Sequence, residues 1–204
     1  YGREVYERFV GTLFDTGFAG VLVLFGKEED QRTAKAVTCT YGDRIQLITT
    51  SSSLGNKYAR YQAYYDYLTS ASAASKFEQV FLCDSRDVIF QRNIFDYAWD
   101  AEDEIGLFEE NAKIGDCEWN SKWMKRIGDA AFEVLKHKTI FCSGTILGKK
   151  QAIVTYLKKM IDIITHDIGL DEVRSLGQLA DGDQAVFNYL FHTDQLPQLR
   201  TKRF

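Results

Sequence analysis

The chain has 204 residues, 45% of them hydrophobic and 26% charged, with a single proline and a formal net charge of −4. A chain of this length can bury its own core in one domain without a disulfide or metal staple. Its 14% aromatic content excludes a disordered protein. The acidic balance excludes a dedicated nucleic-acid binder, which needs a basic face for the phosphates.

Taken in chain order, Val5, Phe9, Val10, Leu13 and Phe14 recur at helical spacing. They predict an amphipathic helix from Arg3 to Asp15, stopped by Gly17. GVLVLF, from Gly20 to Phe25, is an uninterrupted apolar run, the pattern of a strand covered on both faces. The charged stretch Lys27 to Lys35 reads as a loop or a solvated helix. Arg44 to Thr49 is a second strand, and Ser51 to Ser53 can cap a Tyr-rich helix from Lys57 to Leu68. Val80 to Cys83 and Glu104 to Phe108 are further strands. Cys117 to His137 reads as helical, with Trp119 and Trp123 one turn apart. Thr139 to Leu147 is strand-like around Ser143-Gly144. Gln151 to Thr165 carries Ile153, Val154, Leu157, Met160, Ile161 and Ile164 on one helical face, and Asp183 to Phe191 is a last helix. The basic tail Arg200 to Arg203 reads as frayed. Interleaved strands and helices predict an α/β fold, a single domain whose mostly parallel central sheet is flanked by helices.

No apolar run approaches the roughly 18 residues of a membrane span. Cys39, Cys83, Cys117 and Cys142 include no C-x-x-C pair. That spacing argues against a structural zinc site and for free thiols in a reducing compartment.

The most readable chemistry lies where the apolar run VFLC meets Asp84-Ser85-Arg86-Asp87. Ligand sites of open α/β sheets lie at the carboxyl ends of strands. Two carboxylates between apolar runs need a positive partner. Arg86 in a structural ion pair and a divalent cation fit that need equally well, since carboxylate oxygens are good ligands for hard cations. An aspartyl-nucleophile phosphatase would place an acid/base two residues after Asp84, where Arg86 cannot exchange a proton. The P-loop G-x-x-x-x-G-K-[ST] is absent, and no G-x-G-x-x-G follows a strand.

Four segments together carry a resemblance. VFLCDSRDVIFQRNIF, from Val80 to Phe95, resembles the metal-binding segment of GT-A-fold glycosyltransferases, in which a D-x-D motif follows a hydrophobic strand. KYARY, from Lys57 to Tyr61, is similar to the family's Arg/Tyr helix. FCSGTILG, from Phe141 to Gly148, is similar to its small-residue loop beside the donor sugar. DGDQAVFNYL, from Asp181 to Leu190, is similar to its Asp-Gln helix. Small glycosyltransferase domains of large algal viruses are one similar group. The chain departs from the pattern in spacing its acids D-x-x-D, which leaves open which of them touches the metal.

The resemblance implies a GT-A-like, Rossmann-like domain. That domain would transfer a sugar from a nucleoside-diphosphate sugar, a UDP-sugar foremost, to an acceptor hydroxyl on a glycan or glycoconjugate. Mn²⁺ or Mg²⁺ would stabilise the leaving diphosphate. It implies Asp87 as metal ligand, Asp84 as a second ligand or a ribose contact, and His192 as a third metal ligand. Arg60 and Asp183 take catalytic roles, Asp183 as base toward the acceptor or as a contact to the donor sugar. Arg86, Ser143, Gly144 and Gln184 contact the donor. The family's folds begin with a strand whose end loop holds the base, so a further strand is expected ahead of Tyr1, with Tyr1 near that loop. Against these stand simpler readings: Asp183 as a helix N-cap, Ser143-Gly144 as a strand bulge, and Trp119 and Trp123 as core rather than as aromatic faces for an acceptor sugar. The alternative functions are a sugar-nucleotide pyrophosphorylase and an inactive domain binding a nucleotide sugar or a partner.

Overall fold

The computed structural model describes residues 2–50, 59–73, 76–97, 99–167 and 182–204. The chain forms two compact units. One comprises Tyr1–Gly55 with Cys83–Asp100, the other Asn56–Leu82 with Ala101–Phe204.

The first unit begins with helix α1 (Arg3–Asp15), which buries Tyr6, Phe9, Val10 and Leu13 at the predicted spacing. The chain then turns at Gly17, whose φ of +79° lies where a side chain would be strained. Strand β1 (Leu22–Gly26), helix α2 (Glu28–Thr38) and strand β2 (Ile45–Thr49) follow, with a 3₁₀ turn at Cys39–Arg44. β1 and β2 pair in parallel from Leu22↔Ile45 to Gly26↔Thr49, as a crossover through a helix requires. The charged stretch after β1 is thus the helical alternative. It is more than a solvated helix, because Ala34 and Val37, three apart, turn into the core beside Phe9, Val10 and Leu24. Cys83, Val88 and Phe90 pack on the same core.

The second unit contains α3 (Ala59–Thr69), β3 (Gln79–Cys83, whose last residue belongs to the first unit), β4 (Ile105–Lys113), α4 (Glu118–Ile127) and α5 (Asp129–Leu135). β5 (Thr139–Lys149), α6 (Lys150–Asp162), α7 (Asp183–His192) and β6 (Thr201–Arg203) follow. Its sheet has the order β3-β5-β4-β6. β4 runs antiparallel to β5 and parallel to β6. The sheet is therefore mixed where a mostly parallel one is expected.

Other differences from the sequence reading have local causes. The segment from Cys117 to His137 is two helices, because Gly128 interrupts it at a φ of +157°, a conformation that residues with a side chain rarely adopt. α6 ends in a π turn at Ile163–Asp167. The basic tail is not frayed. It pairs with β4 as β6, and Lys202 and Arg203 reach Asp103 and Glu109 at 3.2 and 3.8 Å. Near the end of β5 the chain passes so close to Glu104 that a Cβ on Gly148 would lie 2.9 Å from its carbonyl oxygen. Only glycine fits there.

The core of this unit lies between α3, α6, α7 and the sheet, with Ile105, Leu107, Phe141, Ile153, Tyr156, Leu157, Met160 and Phe187 essentially solvent-free. Among the described residues no helix is long and apolar enough to cross a membrane. Among the described residues no disulfide forms.

Candidate functional site

In the first unit, the end of β3 delivers Asp84 half-buried, and Arg86 and Asp87 exposed. Helix α1 holds the segment that carries them. The Arg8 guanidinium donates to the carbonyl of Arg86, and one turn further on the Thr12 hydroxyl oxygen accepts from the Phe90 N–H at 3.3 Å. Among the described residues no ion pair joins Arg86 to either acid. Just before them, burial and the neighbouring Asp84 charge push the Cys83 thiol well above its ordinary range. The thiol stays protonated, so the donors offered at this strand end are carboxylate oxygens.

In the second unit, the first two residues of α7 tie into separate networks. Asp183 is buried, 4% exposed. Its Oδ2 receives the Arg60 guanidinium and the Tyr61 hydroxyl, the latter at 3.0 Å. Its Oδ1 receives the Gln184 N–H at 3.0 Å. Burial first, then the Tyr156 and Asp183 charges, raise the Tyr61 phenol well above its usual range, so it remains a donor. The N-cap position itself belongs to Gly182. Asp183 therefore acts as an anchor for Arg60 and Tyr61 of α3 more than as a cap.

Gln184 faces the other way. Its Oε1 accepts from the Ser143 N–H at 3.2 Å and from the Ser143 hydroxyl at 3.4 Å. Its Nε2 donates to Glu110 at 3.1 Å and to the buried Asn120 at 3.3 Å. Ser143 and Gly144 lie in a register slip. Two steps along β4, Leu107 to Glu109, face five along β5, Ile146 to Phe141. A second slip follows, with four steps of β4, Glu109 to Lys113, against two of β5, and Glu110 lies in it. The bulge reading of Ser143-Gly144 is thus correct as geometry. Bulges of this kind re-aim side chains and are frequent beside active sites.

Asn188 and His192 continue the α7 face begun by Gln184. Asn188 is solvent-free. It accepts from the Phe141 N–H at 2.8 Å and donates to the Phe141 carbonyl at 2.9 Å and to the Gln184 carbonyl at 2.8 Å. His192 Nε2 meets the Thr139 carbonyl at 2.8 Å, and since a carbonyl only accepts, Nε2 carries the proton. Its ring stacks on Phe141 at 4.5 Å between centroids. Burial lowers its pKa from the ordinary histidine value, and the Arg203 and Lys138 charges act in the same direction, against the Thr139 bond and Glu109. Among the described residues no group of three His, Cys, Asp or Glu side chains is disposed to hold a metal.

The structure thus brings Arg60 and Ser143 to consecutive residues of α7 in the second unit, Arg60 to Asp183 and Ser143 to Gln184, with His192 two turns away on α7. It places Asp84, Arg86 and Asp87 together in the first. Tyr1 and Asp181 lie outside the described residues, as do the Ser51 to Ser53 cap and the start of the Tyr-rich helix. Trp119 is 60% exposed, whereas Trp123 packs on the cluster around Ile114 and Met124. Sequence reasoning missed Glu110, Asn120 and Asn188. Asn188 left a trace, as the one amide in the apolar run AVFNYLF. Glu110 left none, since it sits among polar residues whose bulge is invisible in the sequence.

No family model and no curated protein matches the chain. Solved structures do. The chain is similar to the crystal structure of mouse xyloside xylosyltransferase 1 in its apo form. The match has 13% identity and a TM-score of 0.56 and covers 98% of this chain and 79% of that one. With the α/β elements and sheet order above, this likeness assigns the chain a GT-A-like α/β fold, the fold of a glycosyltransferase.

Proposed function

We propose that the protein is a metal-dependent glycosyltransferase. It would move a sugar from a nucleoside-diphosphate sugar, a UDP-sugar foremost, to an acceptor hydroxyl. The observation that carries this reading is the start of α7, where consecutive residues join a buried carboxylate–arginine pair to a bulged strand, on a glycosyltransferase fold. The acid pair after β3 adds the second half of the chemistry.

The residues fit a hard divalent cation. The donors are carboxylate oxygens, Asp87 is exposed, and Mg²⁺ and Mn²⁺ typically take one or two carboxylates with substrate phosphates and water completing the shell. Asp87, with Asp84, would hold it, and when bound it supplies Lewis-acid stabilisation of the departing diphosphate. The remaining work falls to the chain itself. Arg60 offers a planar guanidinium fixed by Asp183, which suits a phosphate or a sugar hydroxyl. Both Asp183 oxygens already accept protein hydrogen bonds, so we assign Asp183 to positioning Arg60. Gln184 holds the Ser143-Gly144 bulge where the backbone can approach a ligand. With Nε2 of His192 committed to Thr139, only its Nδ1 would be left to serve as a ligand.

Calorimetry with UDP and with GDP, each with and without Mn²⁺, tests the reading. We expect nucleotide binding that requires Mn²⁺ and is lost in Asp87→Ala. Absence of nucleotide binding by the intact chain in Mn²⁺ would overturn it.

A further inference from the structure

Glu110 is a carboxylate with too few partners for its place. It is half-buried on β4, and among the described residues it receives one hydrogen bond, from Gln184 Nε2, and faces no cation. An ionised carboxylate has about four acceptor sites, and a partly desolvated one is costly unless donors fill them. Its neighbour Glu109 is different. It is exposed and lies 3.8 Å from Arg203, and its own N–H is bonded to the Phe204 carbonyl.

The backbone has been bent to place Glu110 where it is. The register of β4 against β5 slips twice in opposite senses, first adding residues to β5 at Ser143-Gly144, then to β4 at Glu110. The two bulges are joined by one side chain, Gln184, which accepts from Ser143 and donates to Glu110 and Asn120. The donors and acceptors of Gln184 are thereby used up, and those of Glu110 are not. The result is a rigid polar surface that presents unfilled acceptor oxygens beside a backbone bulge. Its natural complement is a set of vicinal hydroxyl donors.

We infer that Glu110 is a specificity residue that accepts hydrogen bonds from the hydroxyls of a sugar ring, held in place by Gln184. The inference rests on the glycosyltransferase reading and deepens it. The hydroxyls can come from the donor sugar or from the acceptor sugar, and the test separates the two.

Four proteins are compared: the intact chain, Glu110→Gln, Glu110→Asp and the strand control Glu109→Gln. Thermal melts and circular dichroism establish that each is folded. Binding of UDP, UDP-glucose, UDP-galactose and UDP-xylose is measured in Mn²⁺, together with transfer to methyl glycosides. If the donor sugar is read, Glu110→Gln weakens a UDP-sugar by about tenfold or more and leaves UDP unchanged, as expected for loss of a hydrogen bond to a charged group. If the acceptor is read, UDP-sugar binding is unchanged and the methyl-glycoside KM rises by a similar factor. In either case Glu110→Asp falls between, and Glu109→Gln behaves as the intact chain.

The inference is overturned if Glu110→Gln binds every UDP-sugar and uses every methyl glycoside as the intact chain does. It is equally overturned if UDP itself is weakened as much as its sugars, since Glu110 would then serve the nucleotide. The glycosyltransferase reading survives both of those results. It fails only if the intact chain binds no nucleotide, and the inference then falls with it.

Discussion

Asn188 makes three hydrogen bonds in complete isolation from solvent, two of them to the backbone of a single residue, Phe141. A side chain that pairs with both main-chain groups of a strand residue does the work of a neighbouring strand. Replacing it with leucine leaves a buried N–H and two carbonyls without it. At about 1–3 kcal/mol for each buried group left unsatisfied, Asn188→Leu should destabilise the protein by about 3 kcal/mol or more in urea unfolding, whereas an exposed control such as Asp194→Asn should not. His192 gives a pH signature from the same face. Its folded-state pKa is lowered by burial, so the unfolded chain binds the proton first as pH falls below the ordinary value of 6.5. Its contribution to stability is complete above that value and is lost as pH falls toward the lowered one. Unfolding free energy between pH 7.5 and 5.5 should therefore fall more steeply in the intact chain than in His192→Gln. Of the residues on α7, sequence reasoning reached Asp183 and Gln184 through the likeness of DGDQAVFNYL to the glycosyltransferase Asp-Gln helix, and His192 as an imidazole following that helix. It passed over Asn188, because what decides its role is the register of a strand some fifty residues away.

At the scale of elements, α3 and α7 are joined through Arg60 and Asp183, whose side chains are 22% and 6% exposed. A partly buried pair of this kind adds little over an apolar replacement, yet removing one partner strands the other. Asp183→Leu alone should cost about 3 kcal/mol, and the double change Arg60→Met with Asp183→Leu should recover part of that loss. A double-mutant cycle measured by denaturant titration checks it. The elements themselves were largely legible. α1, α6, α7, β1, β2 and β3 follow from apolar periodicity and run length. What was not legible has a physical cause in each case. Gly128 breaks a helix that its neighbours would continue, and β6 exists only because β4 offers it an edge. β4 extends past its apolar start because its later residues pair with β5 through a slipped register that no spacing rule anticipates.

At the scale of the molecule, the two units differ in what they bury. The first has a two-stranded sheet and a small core around Phe9, Val10 and Leu24. The second has four strands and a core that includes eight solvent-free large side chains named above. Local opening free energies follow buried apolar packing. Amides of Leu24 and Leu47 should therefore exchange with solvent at lower opening free energy than those of Leu107 and Ile146, which native-state hydrogen exchange measures residue by residue. The acidic segment belongs to the first unit. If it binds nucleotide through Mn²⁺, UDP at about 100 times its dissociation constant should stabilise the protein by about 2.7 kcal/mol and raise Tm by several degrees, and Asp87→Ala should abolish the shift.

The face of α7 built from Gln184, Asn188 and His192 reads the backbone of Ser143, Phe141 and Thr139 in turn. Four residues of helix rise about 6 Å and two of strand about 6.7 Å, so the two rulers stay in step. Such an arrangement is above all sensitive to length. Because His192 recognises only the main-chain carbonyl of Thr139, the side chain at position 139 can vary at little cost to this seam, whereas Ser143 also gives its hydroxyl to Gln184. A one-residue deletion or insertion between Thr139 and Ser143 shifts every bond by half a pleat and breaks them together. In a library of all single changes, this stretch should therefore reject indels throughout and accept substitutions at Thr139, while the buried Ile140 and Phe141 resist polar replacement.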